Sequence, residues 1–444
     1  MARRKDSGRQ VYQTELQKAI SQFLPHRGVP LMSGDRRVRW TYRLVAMTAI
    51  LMTWMTEPTL QDAFAAARGV VAAMYDSRRR PGWTFAGFAK AWTRASSRVL
   101  AIVGDHLRQA VQRVAGTRWR WKKWVLMAAD GTRLDCPRTV ANEQAFGCAG
   151  KPGTGPQMLL TTLFHLATGL PWAWVRGRGN ESERKHLESM LSCLPEKTLL
   201  VTDAGYPGYQ LLCDLIAAGH DFVIRVGRNV RLLRELGYAV LEQGDTVYLW
   251  PQGRRHEPPL VLRLVWVQTG RLRMALLTSV LDGRCLRDAE VAVLYRMRWG
   301  IELLYRSLKQ TMERRKMLSD RPDHALLELD WAMTGLWMLG LMAAEVTPKG
   351  CSKEPARQSW SLAKALRVVR DAMRRVGRSR SAGGLRRLLR LAVRDRYVRH
   401  RPKAARYWPR KKTESPPGLP KIRTATHAER LIAQEFRSCV ALNY

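Results

Sequence analysis

The chain has 444 residues, 46% of them hydrophobic, and its 76 Lys and Arg against 37 Asp and Glu give a net charge of +39. This length allows two or three folded domains, and the hydrophobic fraction supports globular folding. The excess of basic residues indicates a polyanionic partner, with nucleic acid as the leading candidate and an anionic membrane as the second.

Other features of the sequence argue against a membrane or secreted protein. The longest uncharged apolar runs, residues 44–56 and 331–344, are shorter than the roughly 20 residues that span a bilayer, so we predict buried helices there. The basic N-terminus has no apolar stretch behind it, and no secretory signal is visible. The seven cysteines form no Cys-x-x-Cys pair, which favours reduced thiols in a cytosolic protein over disulfides or a zinc finger.

The N-terminal region, residues 1–115, is predicted to be an all-helical DNA-binding domain. Apolar residues recur at helical spacing in four of its segments, which turn signals and basic loops separate. Most of these helices are expected to serve packing. The four segments are 11–25, 40–55, 60–76 and 85–115.

The middle region, residues 116–350, is predicted to be an α/β domain. A short apolar strand at 123–132 precedes two strands within 158–177, and strands then alternate with helices, which indicates some parallel pairing. Residues 228–280 are rich in β-forming residues, with a hairpin at Thr269-Gly270, and we predict a β insertion there. Helices resume over about 286–345.

The C-terminal region, residues 351–444, is strongly basic. Residues 367–412 carry 18 Lys and Arg against two Asp, interleaved with aromatic residues. We predict that this region contacts DNA phosphates, mediates dimerisation, or does both. Residues 413–421 are predicted to be a flexible linker. The interleaved aromatic residues are Tyr397, Tyr407 and Trp408.

Two aspartates occupy positions where α/β proteins place functional side chains. Asp130 and Asp203 each end an apolar strand-like run and are followed by glycine within two residues. A carboxylate at such a strand end projects into the open edge of a sheet, where sites form. Each motif alone is also an ordinary turn, and most such aspartates only stabilise a loop.

A third carboxylate, Glu302, lies in the segment 295–309, which reads YRMRWGIELLYRSLK. Since each helical residue turns the chain by roughly 100°, Tyr295, Arg298, Glu302 and Lys309 share one narrow stripe. On the helix alone, a solvated face is the more common explanation, because Arg–Glu pairs four residues apart are frequent on surfaces. Another arc is predicted to pack into the core, and it consists of Met297, Ile301, Leu304 and Leu308.

Three converging carboxylates without Cys or His partners would form a hard, oxygen-rich site. Such a site suits Mg²⁺ or Mn²⁺ rather than zinc, and phosphodiester cleavage commonly uses two such ions.

Arg298 and Lys309 beside Glu302 would then bind phosphates, and Tyr295 would hydrogen-bond or stack nearby.

These residues resemble a known signature. The spacing Y-(2)-R-(3)-E-(6)-K resembles the catalytic helix of bacterial insertion-sequence transposases of the DDE type, specifically the insertion-sequence-four family. The Asp-Gly-Thr and Asp-x-Gly-Tyr contexts of the aspartates and the β insertion before the glutamate also fit, and the resemblance covers roughly residues 116–345. The matching residues are Tyr295, Arg298, Glu302 and Lys309, with Asp130-Gly131-Thr132 and Asp203-Ala204-Gly205-Tyr206.

The resemblance implies an RNase H-like catalytic core with a β-strand insertion, flanked by the helical N-terminal domain and the basic helical C-terminal region. Asp130, Asp203 and Glu302 would bind two Mg²⁺ ions, with Mn²⁺ as a substitute. The activity would be cut-and-paste transposition: cleavage at transposon ends, then transfer of the 3′-hydroxyl ends into target DNA. The partners would be the double-stranded terminal inverted repeats, the target DNA and a second copy in a synaptic homodimer.

The resemblance also makes tryptophans candidates for holding a base flipped out of the duplex. Trp299, next to the signature arginine, is the first candidate, and Trp250 and Trp266 are others; core packing is the alternative for each. His165, His186 and His220 are expected to pack or cap.

Two alternatives to a transposase stay open at this point. One is an RNase H-like DNA nuclease that cuts without joining, and the other is a non-catalytic, transposase-derived DNA-binding protein. The second would be expected to lack a carboxylate of the triad, and none is missing here. We expect a cytoplasmic bacterial location, associated with the nucleoid and without membrane contact.

Overall fold

The computed structural model describes residues 14–24, 39–75, 80–149, 154–240, 242–269, 272–346, 360–376, 384–393 and 417–440. These residues form one mixed sheet with helices packed against it. The helices are α1 (Glu15–Ser21), α2 (Tyr42–Trp54), α3 (Leu60–Met74), α4 (Phe85–Ala115), α5 (Val140–Phe146), α6 (Glu183–Ser189), α7 (Tyr209–Ala217), α8 (Asp288–Met297), α9 (Trp299–Arg306), α10 (Pro322–Val346), α11 (Leu362–Arg375), α12 (Leu385–Arg390) and α13 (His427–Val440).

The strands follow each other along the sheet in the order β10-β6-β7-β8-β9-β5-β4-β1-β2-β3. Strand β1 pairs antiparallel with β2 and parallel with β4, and β4 in turn pairs parallel with β5. The strands are β1 (Val125–Asp135), β2 (Gln157–His165), β3 (Leu170–Arg178), β4 (Thr198–Thr202), β5 (Asp221–Val226), β6 (Arg231–Arg234), β7 (Thr246–Leu249), β8 (Leu260–Thr269), β9 (Leu272–Thr278) and β10 (Lys421–Thr424).

The N-terminal helices agree with the predicted segments, because local signals define them. Each of α2, α3 and α4 begins after a threonine whose side chain accepts a hydrogen bond from the backbone of the first turn. Helix α6 differs, since it begins after Ser182, whose side chain makes no capping hydrogen bond.

Helix α10 lies between the N-terminal helices and the sheet, and its apolar residues are buried, as predicted for 331–344. Trp54 Nε1 donates to the Gly335 carbonyl at 3.1 Å, and Trp331 Nε1 donates to Ser96 Oγ at 2.9 Å. Among the described helices, α10 is the one long and apolar enough to cross a membrane, but 83% of its apolar window is buried inside the protein.

The β-rich segment 228–280 extends the main sheet. Strand β9 pairs antiparallel with β5, and β8 and β9 form the predicted hairpin, although residues 270–271 lie outside the described part. The insertion therefore lengthens the sheet that carries the candidate site.

The C-terminal region returns to this sheet, which the sequence did not predict. Strand β10 pairs parallel with β6, and the Arg228 amide donates to the Pro417 carbonyl at 2.8 Å. The predicted flexible linker at 413–421 is therefore wrong for residues 417–421. Residues 413–416 and the aromatic residues named above for the basic region lie outside the described part.

Replacing Gly335 with alanine is expected to destabilise the protein by about 1–3 kcal/mol, because overpacking a tight contact forces the neighbours apart. A Cβ at this position would lie 2.1 Å from Thr53 Oγ1, at the contact between α10 and α2. The matched control is Gly69→Ala in α3, where a Cβ meets nothing within 4 Å; it should stabilise by up to about 1 kcal/mol through helix propensity. Urea unfolding of both variants measures the change in the free energy of unfolding. An unchanged value for Gly335→Ala would show that α2 can shift against α10 without cost.

Candidate active site

The parallel register of β1 and β4 brings the two predicted aspartates to the same level. Ala128 pairs with Val201, so two residues further along each strand Asp130 is level with Asp203. The pairing with β4 ends at Ala128, but β1 continues along β2, where Asp130 pairs with Thr162. The prediction that Asp130 ends its strand is therefore wrong: β1 continues to Asp135, and only Asp203 follows the end of its strand.

Backbone amides orient both carboxylates. The Gly131 amide donates to Asp130 Oδ1 at 2.9 Å, and the Gly205 amide donates to Asp203 Oδ1 at 2.8 Å. The glycines that drew attention in the sequence therefore supply hydrogen-bond donors to the aspartates that they follow.

The segment 295–309 is not one regular helix, as the sequence had indicated. Helix α8 ends at Met297, α9 begins at Trp299, and Ser307–Thr311 form a π-helical turn. A regular 100° step therefore does not describe the position of Lys309. The predicted core-facing residues are all buried, and they are Met297, Ile301, Leu304 and Leu308.

Arg298, at the junction of α8 and α9, joins two of the predicted carboxylates. Its Nη1 donates to Asp130 Oδ2 at 3.1 Å, and its Nη2 donates to Glu302 Oε1 at 3.4 Å. The side chain is 8% exposed, compared with 14% for Asp130 and 40% for Glu302. The Arg298 guanidinium also lies 5.6 Å from the centre of the Tyr295 ring. Arg298 and Tyr295 are thus buried among the site residues.

Two further side chains from this segment reach β1. Lys309 Nζ donates to Thr132 Oγ1 at 2.6 Å, and the Tyr305 hydroxyl donates to the Asp130 carbonyl at 2.6 Å. Tyr305 was not singled out in the sequence, although on a regular helix it would lie about 20° from Arg298. These contacts fix α9 and the π-helical turn over the strand that carries Asp130.

The surroundings of Asp130 disfavour its charge. Burial raises the pKa of Asp130 to about 7 against the attraction of Arg298, and the nearby carboxylates of Asp203 and Glu183 raise it further. Burial opposes the charge of Arg298, but its acidic neighbours outweigh that effect, so the pKa of Arg298 is raised. Asp130 is therefore protonated more easily than an ordinary aspartate, and Arg298 keeps its charge.

This donor set fits a hard divalent cation. Asp130, Asp203 and Glu302 offer carboxylate oxygens without sulfur or imidazole, which suits Mg²⁺ or Mn²⁺. Within the part of the chain that the structure describes, no three acidic, His or Cys side chains are grouped closely enough to hold an ion. The assignment of these residues as metal ligands stays a prediction.

Glu183, at the start of α6, belongs to the same group and was missed in the sequence. Its negative charge raises the pKa of Asp130, and the charge of Asp203 adds to the effect of burial in raising the pKa of Glu183. Glu183 Oε2 accepts a hydrogen bond from the Tyr206 hydroxyl at 3.3 Å. No local pattern distinguishes Glu183 from the other glutamates of its segment, because only the packing of α6 brings it to β1.

The candidate tryptophans differ in their surroundings. Trp299 is 58% exposed beside the site, whereas Trp250 is buried with its Nε1 bonded to the carbonyls of Arg254 and Glu257. Trp266 lies under Arg273, whose guanidinium is 4.0 Å from the ring centre. Core packing therefore accounts for Trp250, and Trp299 stays a candidate for DNA contact.

The histidines singled out in the sequence are buried, as predicted. His165 is hydrogen-bonded to Thr168 at 2.9 Å, and His186 lies 2.7 Å from Glu181 Oε2. Five cysteines in the described ranges are free thiols: Cys136, Cys148, Cys193, Cys213 and Cys285.

Asp130→Asn is expected to change how stability depends on pH in metal-free buffer. The folded pKa of about 7 lies above the ordinary value of 3.8, so the unfolded chain ionises first as the pH rises. The wild-type protein should therefore lose stability relative to Asp130→Asn between about pH 4 and 7, by at most about 1.4 kcal/mol per pH unit. Urea unfolding with EDTA across this range measures the difference, and a difference independent of pH would contradict the raised pKa.

Comparisons with known proteins cover the part of the chain that contains these residues. Residues 121–338 match the family model described as Transposase DDE domain. The chain is 31% identical over 225 residues to transposase InsG for insertion sequence element IS4 of Escherichia coli (strain K12), and the match covers 47% of this chain and 50% of that protein. The chain thus spans about half the length of this curated relative.

A solved structure is also similar, namely the cryo-EM structure of the piggyBac transposase synaptic complex with hairpin DNA. The likeness covers 86% of this chain and 81% of that chain, with a TM-score of 0.41 and 14% identity. A TM-score and a sequence identity this low support no conclusion about function. The family match over the candidate site is the stronger finding: residues 121–338, which contain the candidate site, are similar to the family of transposase DDE domains.

Proposed function

We propose that the protein is a metal-dependent DNA transposase that cleaves DNA at the ends of its element and joins the freed 3′-hydroxyl ends to target DNA. The observation that carries the proposal is the geometry of the acidic group within the family match. Two adjacent parallel strands bring Asp130 level with Asp203, and Arg298 ties Asp130 to Glu302.

The topology of the sheet supports an RNase H-like core. The order β3-β2-β1-β4-β5, with antiparallel pairs on one side of β1 and parallel pairs on the other, is the order that we expect for that core. The β insertion continues beyond β5, so it lengthens the sheet away from the acidic group.

Asp130, Asp203 and Glu302 would hold the two Mg²⁺ ions, and Mn²⁺ would substitute. When bound, such ions lower the pKa of the attacking water or hydroxyl and stabilise the leaving oxygen. The backbone amides of Gly131 and Gly205 hold the two aspartates in place, and this preorganisation limits the rearrangement that binding requires.

Arg298 would act on the carboxylates more than on the DNA. Its guanidinium lies between Asp130 and Glu302 and is almost fully buried, so it would keep the acidic group folded before ions enter. Lys309, which donates to Thr132 beside Asp130, would lie close to a phosphate at the cleaved bond. Tyr295, whose ring centre lies 5.6 Å from the Arg298 guanidinium, would help to hold Arg298 in place.

The net charge of +39 fits double-stranded DNA as the partner, both the terminal inverted repeats and the target. Two DNA ends must be brought together for transposition, and we propose that a homodimer does this. We propose that cleavage and joining take place at the nucleoid in the bacterial cytoplasm.

The direct test incubates the purified chain with DNA carrying the element's own ends, a supercoiled target plasmid, and Mg²⁺, Mn²⁺ or Ca²⁺. Excised and joined products with Mg²⁺ are expected. Cleavage without joining would support a nuclease instead, and tight end binding without cleavage under any metal would support a non-catalytic DNA-binding protein.

Glu302→Ala should reduce cleavage by at least about 100-fold while end binding stays within a few-fold of wild type. The side chain would serve the metal and not the phosphates, and even outer partners of metal ligands are worth 10–100-fold. Product formation on gels and electrophoretic mobility shifts measure the two properties. Loss of binding equal to the loss of cleavage would contradict this division of roles.

Trp299→Ala should weaken the complex with a cleaved, partly unpaired end by about 5–100-fold, because stacking one base on an aromatic ring contributes about 1–3 kcal/mol. Trp299→Phe, which keeps a stacking surface, should recover most of the affinity. Fluorescence of 2-aminopurine placed near the end reports base flipping. Equal affinities of Trp299→Ala and wild type would assign the exposed ring no role in end binding.

A further inference from the structure

We infer that the outward face of α4 binds the phosphates of a second DNA duplex, separate from the DNA at the acidic group. This face, the α4 basic face, carries Lys90, Arg94 and Arg98, with Arg68 and Arg80 near the start of the helix. The inference goes beyond the proposed function, because it concerns DNA that the acidic group of the same chain does not cut.

The α4 basic face points away from the sheet. On its opposite side α4 packs against α10: Trp331 Nε1 donates to Ser96 Oγ at 2.9 Å, and the ring centres of Trp92 and His324 are 5.8 Å apart. With about 100° per residue, the three basic side chains project roughly 120–160° away from Ser96. Because α10 separates α4 from the sheet, a duplex on this face lies on the side turned away from the strands that carry the aspartates.

The α4 basic face has no counter-charge of its own. Lys90, Arg94 and Arg98 are exposed and pair with no carboxylate among the residues that the structure describes. Asp105, the one acidic residue of α4, pairs with Arg108 instead. Like charges four residues apart on a helix repel, so this spacing destabilises the helix unless an anion binds. The pattern therefore indicates a polyanionic ligand and not a network of surface ion pairs.

The loop before α4 holds two more guanidinium groups near this face. The Arg68 guanidinium carbon lies 3.6 Å from the ring centre of Trp83, which is 71% exposed, and Arg68 Nε donates to the Gly82 carbonyl at 2.8 Å. Burial lowers the pKa of Arg68, and the nearby charge of Arg80 lowers it further. Neither arginine pairs with a carboxylate in the described part of the chain, so a bound phosphate would relieve this repulsion.

The residues between the basic side chains of α4 fit a phosphate backbone better than a membrane. A helix that lies on a membrane buries large apolar side chains there, but this face offers small ones. A phosphate backbone can approach small side chains closely, and phosphate contacts bind DNA without reading its sequence. The small exposed residues are Ala86, Thr93, Ser97 and Ala101.

The test compares wild-type protein with a triple variant that combines Lys90→Gln, Arg94→Gln and Arg98→Gln. The probe is a short fluorescent duplex of unrelated sequence in buffer with EDTA, and fluorescence anisotropy measures its Kd at several salt concentrations. Each lost phosphate contact reduces the magnitude of the slope of log K against log[salt] by about 0.9. The triple variant should therefore lose about 2–3 in slope and bind at least about tenfold more weakly at ~0.15 M salt.

The matched control removes three exposed basic charges elsewhere, through Lys123→Gln, Arg231→Gln and Arg284→Gln. It lowers the net charge of +39 by the same amount, but it should leave the slope unchanged. An equal loss of affinity in the control would show that only the total charge matters, and it would overturn the inference.

A cleavage assay separates this duplex from the DNA at the acidic group. With Mg²⁺, the triple variant should cut a short duplex that carries the element's end at close to the wild-type rate, because this DNA does not touch the α4 basic face. A loss of cleavage as large as the loss of affinity for the unrelated duplex would mean that α4 holds the same DNA as the acidic group, and the inference would be wrong.

Acetylation of lysines in wild-type protein gives an answer that needs no variant. The unrelated duplex should protect Lys90 from acetylation, as measured by mass spectrometry, and equal acetylation of Lys90 with and without the duplex would overturn the inference. If wild-type protein cuts no DNA end, the transposase proposal fails, whereas a protected Lys90 would still support the α4 basic face as a DNA-binding surface.

Discussion

The candidate site depends on one buried cation among several carboxylates. Arg298 contacts Asp130 and Glu302 at the same time, and it does so from the junction between two helices. A buried ion pair gains little over an apolar contact, but removing one partner leaves an uncompensated charge. The fold therefore gathers several acidic side chains around one buried guanidinium, and such clusters of ionisable groups are common at functional sites.

Hydrogen bonds between neighbouring elements hold the backbone around the acidic group in place. Strand β1 pairs on both sides, α9 and the π-helical turn are tied to β1 by Tyr305 and Lys309, and α6 is tied to the turn after β4 by Tyr206 and Arg184. Two separate parts of the chain, residues 299–311 and α6, thus pack around the strands that carry the aspartates. π-Helical turns are rare and often occur at functional sites, and here the turn sets the direction of a lysine relative to the acids.

Local features of the sequence were sufficient to predict the helices and the family resemblance. Apolar periodicity and turn signals located α2, α3 and α4, and the spacing of the tyrosine, arginine, glutamate and lysine identified the segment over β1. Long-range pairing was not accessible in the same way. That Asp130 is level with Asp203 follows from a register between strands 73 residues apart, since Val125 pairs with Thr198. The place of Glu183 depends on how α6 docks, and periodicity carries no information about docking.

The pairing of β10 with β6 has a consequence for the order in which the protein can fold. Lys421 pairs with Arg231, 190 residues earlier in the chain, so one edge of the sheet is completed only by a segment that is synthesised late. Ribosomes add about 5–20 residues per second, and β6 would wait on the order of ten seconds or more for its neighbour. During that time it is an open strand edge, able to pair with other chains. Completion of synthesis thus limits how early the whole sheet is closed, and the nascent chain is most vulnerable to misassembly at the end of the sheet farthest from Asp130.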